Sequence, residues 1–195
     1  MKVFIADLSE IINIQDFLTK NFDNLSLPEQ KRYNRILQPL KQTQFLVGRM
    51  LIKEYLKQGI EILPTGKPIA KNDKDTYISL SHSGQYIVFA ISKNPIGIDI
   101  ENTSVNRNFK GISEFLKFPT PTDKIDFYKN FTQFEAEYKL GKEYENKNKI
   151  NEFYKLEDYI LCISSVISNS INEKLECYLT IPTLFIKKFD LTKLS

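Results

Sequence analysis

A chain of 195 residues with 42% hydrophobic and 26% charged side chains is long enough for one large domain or two small ones, with the balance of a soluble globular protein. Its formal net charge of +3 is too small to name a partner, and no apolar run is long enough to span a bilayer, so no membrane partner is expected. No dense basic-aromatic stretch marks nucleic acid. Cys162 and Cys177 stand outside any CxxC or Cys/His cluster, as reduced thiols of a cytoplasmic protein do. Met1-Lys2 leads straight into a short strand-like run, so no signal peptide is expected.

In chain order, Val3-Phe4-Ile5-Ala6 reads as a first strand. Ser9 is placed to cap a helix reaching about Lys20, with Ile11, Ile14 and Leu18 at helical spacing and Phe22 continuing the stripe. Residues 26–40 read as a second helix, Pro28 and Glu29 suiting its first turn and Pro39 lying near its end. A longer helix over about residues 42–57 presents Phe45, Leu46, Met50, Leu51 and Tyr55, and Gly59 stops it. Nine basic residues stand against three acidic ones between Ser26 and Lys71. That local excess suits an anionic ligand, although a solvated helical face gives the same count. Pro64, Gly66 and Pro68 then hold Lys67 in a loop of restricted shape.

Residues 77–81 and 86–92 read as strands joined by His82-Ser83-Gly84-Gln85, and Asn94-Pro95 turns the chain into a third strand over 96–101. Three antiparallel strands in succession predict a meander. In the third strand Ile96, Ile98 and Ile100 fall on one face, while Gly97, Asp99 and Glu101 fall on the other. Like charges about 4 Å apart repel by roughly 4 kcal/mol at an effective dielectric of about 20. A fold that holds two carboxylates together commonly gives them a cation, and oxygen-only ligands suit magnesium. Gly97 leaves room for a ligand to approach. Taken alone, the strand has a plainer meaning: an edge strand with a solvated acidic face.

Residues 102–123 are polar and irregular, with Pro119 and Pro121, and a domain boundary is expected at their start, dividing the chain into 1–102 and 103–195. Asp126 to about Glu145 reads as a helix whose apolar stripe is Phe127, Phe131, Phe134 and Tyr138. Glu135, Lys139 and Lys142 share a neighbouring stripe, and Glu135–Lys139 alone is an ordinary i,i+4 ion pair. Strands are expected over 153–156, 159–164, 175–179 and 183–188. Tyr77-Ile-Ser-Leu with Tyr86-Ile-Val-Phe-Ala-Ile is echoed by Phe153-Tyr-Lys-Leu with Tyr159-Ile-Leu-Cys-Ile, each hairpin following a helix. The echo points to two similar halves.

Gly66-Lys67-Pro68, Ser81-His82-Ser83-Gly84, Ile96-Gly97-Ile98-Asp99-Ile100-Glu101 and Phe131-Thr132-Gln133-Phe134-Glu135-Ala136-Glu137-Tyr138-Lys139 together resemble, in order and spacing, the motifs of the 4′-phosphopantetheinyl transferases. The resemblance is to the two-lobed, surfactin-synthetase-activating type and covers about Pro28 to Gly141. It implies an α+β (α/β) fold of two similar lobes related by a pseudo-twofold, each a small antiparallel sheet packed with helices, with coenzyme A in the cleft between them. It further implies a monomer that moves phosphopantetheine from coenzyme A to a serine of an apo acyl or peptidyl carrier protein, releasing 3′,5′-ADP. By motif position Asp99, Glu101 and Glu135 are implied magnesium ligands, with Glu135 as base for the incoming serine and Lys139 meeting phosphate charge. Lys67 and His82 correspond to family residues at the nucleotide end of coenzyme A, and Ser83 is a further donor there.

Three departures stand out. Phe134 replaces a lysine usual before the motif's glutamate, Gln44 an arginine, and Ser79 a frequent asparagine. Lys41 and Arg49 lie nearby in sequence. Two rival readings remain: a metal-dependent phosphodiesterase, which also clusters carboxylates with a lysine, and a non-catalytic carrier-protein-binding module of the same fold.

Overall fold

The computed structural model describes residues 1–56, 59–63, 67–166, 174–180, 186–188 and 191–194. The elements run β1 (Lys2–Asp7), α1 (Ile14–Asn21), α2 (Leu27–Tyr33), α3 (Pro39–Tyr55), β2 (Ile60–Ile62), β3 (Pro68–Ala70), β4 (Tyr77–Ser83), β5 (Tyr86–Ser92) and β6 (Ile96–Asn102). They continue with α4 (Phe109–Leu116), α5 (Lys124–Leu140), β7 (Lys149–Leu156), β8 (Tyr159–Val166), β9 (Glu176–Thr180), β10 (Ile186–Lys188) and β11 (Thr192–Leu194). The expected loop positions Pro64, Thr65 and Gly66, the helix end at Lys57 and the strand start at 183–185 lie outside the described residues.

The architecture is α+β in two lobes. A five-stranded sheet in the order β10-β9-β1-β5-β4 and a four-stranded sheet in the order β11-β7-β8-β6 lie in successive layers, with β2 and β3 forming a small separate ribbon. Alternation along β1 and β5 explains the layering. Phe4, Ala6, Ile87 and Phe89 face a core shared with Leu46, Leu51 and Ile52 of α3. Val3, Ile5, Val88 and Ala90 face the opposite way, into a second core with Ile96, Ile98 and Ile100 of β6 and Leu161 and Ile163 of β8. Beyond the four-stranded sheet, Phe127 and Tyr128 of α5 pack on Ile160.

The expected meander does not form. β4 and β5 pair as a hairpin, but the turn at Asn94-Pro95 carries β6 out of that sheet, and β6 pairs instead with β8. Its three isoleucines are buried by the facing sheet rather than by a neighbour in the same sheet. The five-stranded sheet is mixed, not purely antiparallel, because β9 runs parallel to β1.

Several helix boundaries also move. Asn13, not Ser9, caps α1, its side-chain oxygen accepting from the Asp16 backbone N–H at 3.1 Å. Ser26 and Glu29 form the capping box of α2, which ends at Tyr33. Pro39 starts α3 rather than ending α2, where its missing N–H costs nothing. α5 stops at Leu140, since Gly141 adopts φ 122°, a value helical side chains do not reach.

Candidate functional site

β6 is an edge strand of its sheet, but its carboxylate face is not solvated. Gly97, Asp99 and Glu101 lie under α5, and Asp99 is only 3% exposed. Gly97 explains how the helix comes so near. A Cβ there would meet the Ala136 carbonyl oxygen at 1.9 Å and the Leu140 nitrogen at 2.6 Å. The space that the missing side chain leaves is therefore taken by the α5 backbone, not by a ligand. α5 turns Tyr128, Thr132, Ala136 and Leu140 inward, and the buried Thr132 hydroxyl is satisfied by the Tyr128 carbonyl at 2.8 Å. Glu135 and Lys139 then fall on the flank that looks toward Asp99.

A row of serines joins the other side. Ser79, Ser81 and Ser83 alternate on β4 and all reach β6. Ser79 Oγ accepts the Ile98 N–H at 3.0 Å, Ser81 Oγ donates to Asp99 Oδ1 at 2.7 Å, and Ser83 Oγ accepts the Asn102 N–H at 3.1 Å. Ser83 also donates to Glu101 Oε2 at 3.0 Å. Backbone donors on the free edge of β6, which have no strand partner, are thus met by hydroxyls. Ser79 has a place of its own in this row, and Ser83 is engaged with Glu101.

Each strand carboxylate also meets a cation. Lys139 Nζ lies 2.7 Å from Asp99 Oδ1 and donates to Ser81 Oγ at 2.8 Å. Arg107 Nη2 lies 2.7 Å from Glu101 Oε2. Asp99 Oδ2 is buried without a hydrogen-bond partner. Burial pushes the Glu101 carboxyl up, with the charge of Asp99 adding to it, while Arg107 and Ser83 pull the other way. Burial likewise pushes Glu135 up, followed by Asp99, against Lys139 and Arg107. Glu101 and Glu135 thus both feel the charge of Asp99. The three do not gather into a set ready to close on a metal ion, and no such set stands among the described residues. The donors are nonetheless of the right kind for a hard cation: all oxygen, partly buried, one oxygen of Asp99 unsatisfied.

A cleft of about 660 Å³ opens beside this centre between β3, β4 and the end of α5, lined among others by Lys67, Ser79, Tyr138 and Lys139. Lys67 Nζ donates to the Leu140 carbonyl at 2.9 Å, capping the last turn of α5, and burial lowers its pKa. His82 lies on the opposite face of β4 from the serines. Its imidazole is pushed down to about 4, chiefly by surrounding protein and then by Lys41 and Lys139. The ring keeps an exposed edge, so at neutral pH it is an uncharged group among lysines. Lys67, His82 and Ser83 therefore do not converge on one point.

Gln44 is 1% exposed, and its Nε2 donates to the Gly84 carbonyl at 2.7 Å, tying α3 to the hairpin tip. Arg49 is no substitute cation, being buried against the Phe45 ring at 5.1 Å and beside Glu29. Lys41 is exposed and its charge reaches His82. Phe134, expected on the buried stripe, is 39% exposed and meets Phe118 edge-on at 5.5 Å. Sequence reasoning missed Arg107 altogether, because it sits in an irregular polar stretch with no periodicity around it.

The fold and this centre define a class: a two-lobed α+β protein whose lobes meet at a carboxylate–cation cluster beside an open cleft. No family model matches the chain. It is 34% identical over 88 residues to the 4′-phosphopantetheinyl transferase gsp of Aneurinibacillus migulanus, a match taking in 42% of this chain and 37% of that protein. It is 29% identical over 102 residues to a 4′-phosphopantetheinyl transferase of Bacillus subtilis, covering 48% of this chain and 44% of that one. The chain spans less than half the length of these curated relatives in either match. Both relatives bear the name of one transferase class. No helix among the described residues is long and apolar enough to cross a membrane.

Proposed function

We propose that this protein is a 4′-phosphopantetheinyl transferase acting on coenzyme A and an apo acyl or peptidyl carrier protein, with 3′,5′-ADP as the leaving product. The observation that carries the reading is the Asp99–Lys139 pair at the junction of β6, β4 and α5, beside a cleft on the order of coenzyme-sized ligand pockets. Asp99, Glu101 and Glu135 would hold magnesium, which when bound neutralises pyrophosphate charge and polarises the reacting phosphorus.

The chain's own groups account for the rest. Lys139 places an ammonium where negative charge develops on the transferring phosphate. Glu135, with a carboxyl pushed up by burial and by Asp99, is suited to take the proton of the incoming serine hydroxyl. The neutral His82 and the cationic Lys41 stand at the hairpin side, where hydrogen bonding and charge together suit the nucleotide phosphate. Lys67 lines the cleft and steadies the last turn of α5, so its contribution to binding is shared with holding Lys139 in place. Ser83 serves through Glu101.

The test is direct. The protein is incubated with coenzyme A, Mg²⁺ and a purified apo carrier protein, and the carrier is weighed by mass spectrometry. A carrier heavier by one phosphopantetheine on its serine supports the reading. An unchanged carrier with coenzyme A consumed would favour a phosphodiesterase, and an unchanged carrier that binds the protein would favour a non-catalytic module.

A further inference from the structure

Arg107 stands out among the charged groups around the site. It lies five residues beyond the end of β6, in the stretch leading to α4, yet its side chain turns back to Glu101 at 2.7 Å. Its guanidinium carbon sits 5.1 Å from the centre of the Phe131 ring and 6.0 Å from that of Tyr128, so two aromatic residues one turn apart on α5 hold it in place. The Tyr128 hydroxyl is itself anchored, donating to the Val105 carbonyl at 2.7 Å. Of the donors that a guanidinium carries, Nη2 meets the carboxylate while the buried Nε has no partner. The charge reaches Glu135 as well as Glu101, opposing the upward push on both carboxyls.

We propose that Arg107 is a substrate-binding residue of this site with two alternative counter-ions: the Glu101 carboxylate and the phosphate groups of the bound substrate. The inference rests on the reading of the site as one that takes a divalent cation and a pyrophosphate. In the structure the guanidinium pairs with Glu101. A divalent cation that uses Glu101 competes with it for that carboxylate. A planar fork held between rings and freed from Glu101 keeps its donors in a fixed orientation suited to phosphate oxygens. The helix offers no lysine just ahead of Glu135, where Phe134 stands, so the cations whose charge reaches Glu135 are Lys139 and Arg107.

This dual role makes a prediction of opposite signs. In Arg107→Gln, Mn²⁺ alone, followed by the electron paramagnetic signal of the free ion, binds roughly tenfold more tightly than to the wild type, because a competing charge is gone. Inorganic pyrophosphate alone, followed by isothermal titration, binds about tenfold more weakly, because a bidentate partner is gone. Arg107→Lys keeps the charge without the fork, so it restores the wild-type Mn²⁺ affinity and only part of the pyrophosphate affinity. Lys110→Gln, an exposed neighbour paired with Glu114, changes neither. A structural role alone would weaken both probes together or move neither, and either result overturns the inference while leaving the transferase reading intact. A wild-type protein that binds neither Mn²⁺ nor pyrophosphate overturns the site reading itself, and the inference with it.

Discussion

Glu135 and Glu137 stand two residues apart on α5 and meet opposite surroundings. Glu137 is saturated: Gln133 Nε2 and Asn151 Nδ2 donate to Oε1 at 2.8 Å each, and Lys149 Nζ lies 2.6 Å from Oε2. Asn151 is in turn held by the Ser164 hydroxyl at 2.6 Å. Despite burial, those hydrogen bonds and the lysine hold its carboxyl below the usual range. Glu135 is pushed the other way by burial and by Asp99. The contrast separates a brace from the carboxylate proposed above as the base. Glu137 spends its charge fixing α5 to β7 and β8, so that Glu135 can be kept in a setting that no stable fold would choose for its own sake.

The largest effect that would sharpen this contrast is expected from Glu135→Gln. Transfer should fall about 10²- to 10⁴-fold, the usual weight of a general base, with the fold retained. Carrier mass against time measures it, and a rate near wild type would break the assignment. Next comes Gly97→Ala, which puts a methyl group into the Ala136 carbonyl. Forcing the helix off the strand should cost roughly 1–3 kcal/mol and reduce transfer as well, since Glu135 and Lys139 move with α5. Chemical denaturation paired with the transfer assay would read both losses, and an unperturbed variant would show that the helix can shift freely.

Glu137→Gln should cost about 1–3 kcal/mol by removing the charged partner of Lys149. Its dependence on pH distinguishes the two glutamates. The folded pKa of Glu137 lies below its unfolded value, so its stabilisation is present above the unfolded value and is lost as pH falls through the folded one. For Glu135 the folded pKa is raised, so ionisation opposes folding above that value and the penalty disappears as pH falls toward the unfolded one. In the metal-free protein at neutral pH, Glu137→Gln should therefore melt lower than wild type and Glu135→Gln higher. Both differences should close on acidification, and melting curves across pH 3–7 would show parallel displacements if the contrast were false. The smallest effect is expected from Phe134→Lys. An exposed ring edge-on to Phe118 leaves within about 0.5 kcal/mol of wild-type stability on substitution, as surface positions do. A large drop in melting temperature would place the ring in the core after all.

The parts legible in the sequence were those with a short period. The alternation of Ile96, Ile98 and Ile100 against Asp99 and Glu101 gave both faces of β6, because a strand's sides are fixed by parity alone. Which sheet the strand would join was not legible, since Asn94-Pro95 marks a turn but not its direction. The aromatic stripe marks only part of the buried face of α5: Phe127 is fully buried and Phe131 packs against it, but Phe134 is exposed. The buried row contains Thr132 and Ala136, a polar and a small residue that let the helix approach β6, while Tyr138 is 65% exposed. Ser79, Ser81 and Ser83 showed their spacing openly, yet the reason for three hydroxyls in a row appears only beside β6, where Ser79 and Ser83 meet its edge N–H groups and Ser81 meets Asp99.

The two sheets also trade strands along the chain. β6, from the first half, completes the sheet built by β7 and β8, while β9, from the second half, pairs in parallel with β1 from Lys2 opposite Glu176 onward. Neither half of the chain holds all the strands of its own sheet. Cooperativity follows, with one calorimetric transition expected in place of two. The pairing of residues some 170 positions apart places the closing of β1 on β9 among the slowest steps of folding. The lobes are neighbours in space, but in assembly they are a single event.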